Sequence, residues 1–205
     1  MLYVRLFLKL NNTFKMGLPD VEKKYYTVEE YFQLEVSSDI RHEFYKNECF
    51  PIMGTTRKHN DIVQNIAAQL RPVFRAKGCG VYTESVKVEV IKDVYYPYPD
   101  VILTCDESDV ENTIIKMPML IIEVLSPTTQ SHDKDFKWQK YRKVPSLCYY
   151  MMVSQAEISV EVYTRVGNSM IWSFQEYTDL EQNISFLELD FELSLSAIYE
   201  MIQFD

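Results

Sequence analysis

Two carboxylates stand in segments that give an anion little access to water. MLIIEVL, residues 119–125, is an apolar run with one charge. The two-residue period of a strand sets Met119, Ile121, Glu123 and Leu125 on one face and Leu120, Ile122 and Val124 on the other, so both faces read as buried. An ionised carboxylate there costs several kcal/mol unless a metal ion, a Lys or Arg, or a proton meets it. In YYPYPDVILTC, Pro97 and Pro99 hold the chain extended up to Asp100, which opens a second apolar strand. Neighbouring strands that placed Asp100 beside Glu123 would force one of them to take up a proton unless a cation lay between them. Carboxylate oxygens, with no His in either segment and the one Cys, Cys105, five positions past Asp100, favour Mg2+ or Mn2+ over zinc.

The cations follow in SHDKDFKWQKYRKV. Read as a helix, it carries Asp133, Lys137, Tyr141 and Val144 on one face, and Lys134, Lys140, Arg142 and Lys143 make the remainder basic. A lysine near a metal-bound water stabilises developing phosphorane charge and helps deprotonate the nucleophile. The plainer role for Lys137 is a bridge to Asp133 worth a few tenths of a kcal/mol.

Together, PDVILTCD, MLIIEVLSPTTQSHDKDFKWQKY, RHEFYKNE and RKHND resemble the Uma-type "putative restriction endonuclease" family of bacteria, a branch of the PD-(D/E)XK nuclease superfamily. The resemblance runs from about Tyr25 to Met201 and implies a restriction-endonuclease-like α/β fold. By it, Asp100, Glu123 and the backbone carbonyl of Val124 bind Mg2+ or Mn2+. Asp133, Lys137 and Tyr141 match the family's D-x-x-x-K-x-x-x-Y, and Glu43 and His59 line the same cleft. The implied activity is metal-dependent endonucleolytic hydrolysis of DNA. The superfamily motif asks for Lys where this chain has Leu125, so Lys137 is the candidate to supply the ammonium. Leu125 also sustains an alternative, a catalytically inactive nuclease-fold protein that binds nucleic acid or a protein partner. A metal-free hydrolase using two carboxylates as acid and base is a second alternative.

The elements that must position these residues read as α-β-β-β-α-β. A helix over His59 to Arg75 precedes strands in GVYTESVKVEVI, YPYPDVILTC and MLIIEVL; the basic helix and a strand in LCYYMMVSQ follow. An N-terminal helix begins at the capping box Thr27…Glu30, and a hairpin turns at Lys46-Asn47. At the C-terminal end come a hairpin around Gly167-Asn168 and a helix in LSLSAIYEMI. Residues 25–205 form one domain, and 1–24 read as a poorly ordered extension.

A chain of 205 residues, 47% hydrophobic, supports one core and one site. No apolar run reaches the roughly 20 residues of a membrane helix, so a cytoplasmic location is expected. A net charge of -9 argues against a protein that coats nucleic acid and leaves room for a transient encounter through a local basic strip. Cys49, Cys79, Cys105 and Cys148 signal neither a disulfide framework nor zinc. The 14% aromatic content exceeds what one small core needs, and points to a homodimer through the hairpin carrying Trp172 and Phe174.

Overall fold

The computed structural model describes residues 25–126 and 133–204; the expected extension 1–24 lies outside them. Thr27 opens helix α1 (Val28–Ser37) with both bonds of the capping box, Glu30 N to Thr27 Oγ1 at 3.2 Å and Thr27 N to the Glu30 carboxylate at 2.9 Å. Strands β1 (His42–Tyr45) and β2 (Glu48–Pro51) form the expected hairpin. Its turn residues Lys46 and Asn47 have φ of 48° and 68°, the left-handed pair of a two-residue turn, and Asn tolerates that conformation well. Helix α2 (Arg57–Ala76) buries Ile62, Val63, Ile66, Leu70 and Phe74 and ends before Gly78, at φ 78°.

A six-stranded sheet carries the core. It contains β3 (Gly80–Thr83), then, past the short β4 (Lys87–Val88) and β5 (Tyr95–Tyr96), β6 (Val101–Thr104). After β7 (Ile114–Ile115) it continues with β8 (Pro118–Leu125), β9 (Tyr149–Ser154), β10 (Val160–Arg165) and β11 (Trp172–Tyr177). The strands lie in the order β11-β10-β9-β8-β6-β3, with β8 and β9 parallel and the other pairs antiparallel. Strand β8 has apolar residues on both sides because both sides are covered. Leu120, Ile122 and Val124 pack with the buried face of α2, while Ile121 and Leu125 pack with Tyr141, Val144 and Tyr150. The α2 side is closed by β12 (Asn183–Phe186), β13 (Phe191–Ser194) and a short helix.

Four local expectations are corrected. GVYTESVKVEVI is not one strand: Glu84, at φ 52°, breaks it, and β4 leaves the sheet to pair with β7. The basic helix is a π-helical turn, Asp133–Lys137, followed by α3 (Trp138–Tyr141), and Pro145 lies too close for it to run further. In LSLSAIYEMI the first residues belong to β13 and only α4 (Leu195–Ile198) is helical, since pairing with β12 buries Leu193. Finally, Cys79 and Cys105 form a disulfide; the ladder that pairs Gly80 with Thr104 brings them face to face one step on. Cys49 and Cys148 are free thiols.

Candidate active site

The site is built on one line across the sheet. Strand β3 pairs Thr83 with Val101 of β6, and β6 pairs Val101 with Ile122 of β8. One further step along each register sets Glu84, Asp100 and Glu123 side by side. The Glu84 amide donates to the Asp100 carbonyl at 3.1 Å, extending the ladder by that step.

Asp100 and Glu123 are compensated differently. Asp100 Oδ2 accepts a hydrogen bond from the Val124 amide at 2.6 Å and lies 3.2 Å from His59 Nε2. Helix α2 positions His59 in its first turn. The Thr56 hydroxyl caps the helix by accepting from the His59 amide at 3.1 Å and itself donates to Gln155 Oε1 at 2.7 Å. Glu123, only 3% exposed, receives two donors on one oxygen: the Tyr141 hydroxyl at 2.8 Å and Lys137 Nζ at 3.1 Å. Burial and then the Glu123 charge hold the Tyr141 phenol well above the usual tyrosine range, so it stays protonated and donates. Lys137 Nζ also lies 3.6 Å from Glu43 Oε1, and Glu43 accepts from the Tyr98 amide at 3.4 Å.

The chain thus brings all the expected side chains, Glu43, His59, Asp100, Glu123 and Lys137, together with Val124, to the wall of one cleft of about 650 Å³. Tyr141 lies behind Glu123. The Asp133 side chain, and with it the expected bridge to Lys137, lies outside the described residues; among the described residues Lys137 pairs with Glu123 and Glu43.

Sequence reasoning missed Glu84. His59, Glu84 and Asp100 each offer a donor atom, and these atoms lie within 4.8 Å of one another. Glu84 sits in the left-handed region, a conformation costing a non-glycine residue roughly 1–2 kcal/mol. Arg41 braces it by donating to the Glu84 carbonyl and, at 2.9 Å, to Ser85 Oγ. Asn60 Nδ2 donates to its carboxylate at 3.4 Å. The TES triplet reads as ordinary strand, and nothing local in it predicts the break that turns Glu84 toward Asp100.

The donor set fits a divalent cation. Ligands held at about 2.1 Å from one ion lie within about 4.2 Å of each other, so the cluster needs only slight contraction. An imidazole among the donors extends the range from Mg2+ towards Mn2+ and zinc. The expectation of oxygen ligands came from two strand segments, and the histidine reaches Asp100 from a helix elsewhere in the chain.

The family model described as "Uma2: Putative restriction endonuclease" matches residues 28–197. Two uncharacterized proteins of Synechocystis are similar. One is 28% identical over 75% of this chain and 82% of its own length, the other 29% identical over 80% and 93%. The crystal structure of a "putative nuclease belonging to DUF820" from Anabaena variabilis superposes with a TM-score of 0.69. It covers 86% of this chain and 99% of that one at 14% identity, a likeness of fold.

Proposed function

From the premise that the chain belongs to the Uma2 family of putative restriction endonucleases, we propose that it is a metal-dependent endonuclease hydrolysing phosphodiester bonds in DNA, and that it works as a homodimer. The observation that carries this reading is the row Glu84, Asp100, Glu123, with His59 at one end and Lys137 at the other. In this row His59, Glu84 and Asp100 each offer a donor atom within 4.8 Å of one another, the spacing of ligands about one divalent ion.

Asp100, Glu123 and the Val124 carbonyl would hold Mg2+ or Mn2+, with His59 and Glu84 as further donors on the side of Asp100 away from β8. Such an ion supplies a Lewis acid for the phosphoryl oxygens and brings the pKa of bound water towards neutrality. The protein's own groups do the rest. Lys137, fixed between Glu123 and Glu43, presents an ammonium to the charge that develops on the phosphoryl group. Tyr141, buried and protonated, holds Glu123 in one orientation. The ammonium that Leu125 does not provide reaches Glu123 from Lys137 at 3.1 Å, which favours an active enzyme over an inactive scaffold.

The test is cleavage of supercoiled plasmid by the purified protein with Mn2+ or Mg2+ and with chelator. Wild type nicks the plasmid only with metal, and Asp100→Asn, which keeps the shape of the side chain, is slower by on the order of a hundredfold. Equal cleavage in chelator, or by Asp100→Asn, overturns the reading.

A further inference from the structure

The six-stranded sheet ends on one side in a strand that none of the described strands covers. Strand β11 pairs with β10 in regular register over all of its residues, from Trp172 with Arg165 to Tyr177 with Val160. The Val166 amide bonds the Ile171 carbonyl at 2.9 Å, and antiparallel pairs alternate. Ser173, Gln175 and Tyr177 therefore spend their backbone groups on β10. Trp172, Phe174 and Glu176 point theirs away from the sheet. The Arg165 amide, bonded to the Cys148 carbonyl at 2.8 Å, confirms the phase from the other side of β10.

Sheet edges are ordinarily blunted by proline, lysine, a bulge or a cover. Strand β11, WSFQEY, contains no Pro, Lys or Arg and no irregular pairing. Its apolar groups are uneven. Trp172 is turned in, stacked edge-on to Trp138 at 5.1 Å with the Arg165 guanidinium 4.4 Å from its ring centre. Phe174, at 55% exposed, leans on Tyr163 and leaves the rest of its ring in water, and Ile171, just before the strand, is 66% exposed.

We infer that β11 pairs antiparallel with β11 of a second copy of this chain, with the two-fold axis at Phe174, so that the two sheets become one. The occupant follows from self-complementarity. Centring on Phe174 sets the two exposed rings against each other and matches three donors and acceptors with three. It also places each Glu176, the strand's only charged residue, opposite Trp172 of the other copy, so like charges do not meet.

The geometry bears on the proposed nuclease, and only this part of the inference rests on that reading. With the dyad between the two copies of β11, seven strand spacings of about 4.8 Å separate one β8 from the other, roughly 34 Å, one turn of B-form DNA. Strand β8 runs parallel to β11 within a copy and antiparallel, locally, across the dyad. A twist of about 20–25° per strand, accumulated over seven steps, turns the second β8 back to nearly the direction of the first. The carboxylate-bearing ends of both copies then open on the same side.

The experiment is sedimentation of the full chain at micromolar concentration together with oxidative cross-linking of two single variants. Directly opposite residues of a bonded pair have Cα atoms about 5.5 Å apart, inside the range a disulfide spans. At the dyad, Phe174→Cys meets its own copy and Gln175→Cys does not. The expected result is a dimer, with covalent dimer from Phe174→Cys exceeding that from Gln175→Cys by at least about tenfold. A monomer, or equal cross-linking at the two positions, overturns the inference. So does a monomer whose Trp172, Phe174 and Glu176 amides exchange slowly, since another part of the same chain then covers the edge. Cleavage is scored separately: a monomer that cuts DNA sinks the dimer alone, and a cross-linked dimer that cuts nothing sinks the nuclease alone.

Discussion

At the scale of single residues, the buried pair Glu123 and Lys137 ties stability to chemistry. With 3% and 8% of their surfaces exposed, removing one partner strips the other, away from water, of the ion pair between them. By sequence alone Lys137 is the candidate to supply the ammonium, with a bridge to Asp133 worth a few tenths of a kcal/mol as the plainer role, and in either role its loss is expected to change stability little. Its place in the structure raises the expected cost of Lys137→Ala to about 3–5 kcal/mol in chemical denaturation. Metal-dependent cleavage should fall by on the order of a hundredfold as well. A stable variant that cuts at the wild-type rate would return Lys137 to the surface. For the metal, Mn2+ should raise the melting temperature of the wild type, because a ligand of the folded state stabilises by mass action. Asp100→Ala should abolish that rise, and Glu84→Gln should reduce it. An undiminished rise in Glu84→Gln would remove Glu84 from the ligands.

At the scale of elements, the start of α2 and the end of β3 bring the cluster together. Thr56 caps the helix at the residue that orients His59, so Thr56→Ala should cost about 1 kcal/mol of stability. It should also weaken Mn2+ binding measured by calorimetry; unchanged affinity would mean that packing of α2 alone fixes the imidazole. The Cys79–Cys105 disulfide anchors the opposite ends of β3 and β6, closing a loop between residues 26 apart. Loop-closure entropy makes it worth about 3.5 kcal/mol, so reductant should lower the melting temperature. Thiol titration of the denatured, unreduced protein should find Cys49 and Cys148 only; four reactive thiols would rule the bond out.

At the scale of the whole molecule, an acidic chain must meet an acidic polymer. The net charge is -9, and among the described residues the cations facing the cleft are chiefly Arg41 and Lys137. Each neutralised phosphate contributes about 0.9 to the slope of log K against log salt, so a slope shallower than about -3 is expected for DNA binding, measured with Ca2+ in place of a catalytic metal. A slope near the steep values of proteins with many phosphate contacts would show a basic face beyond the cleft. None of the described helices is long and apolar enough to cross a membrane.

The sequence by itself determined what depends on near neighbours. The capping box at Thr27, the Lys46-Asn47 turn and the apolar face of α2 follow from local spacing, and the doubly buried β8 follows from an apolar run with one charge. The same run marked Glu123 as an anion in need of a partner, and the prolines before Asp100 marked the second carboxylate. Only the tertiary structure decided which partners arrive. Strand register, set by burial of whole faces, aligned Glu84 with Asp100 although 16 positions separate them in the chain. Packing of α2 on the sheet delivered His59 to the same point. The π-helical turn, which no helical period announces, carried Lys137 to Glu123, and the ladder of β3 and β6 joined two cysteines that no sequence spacing paired. Each of these contacts lies between segments far apart in the chain, where no local propensity reaches and only the shared burial of two faces selects a register.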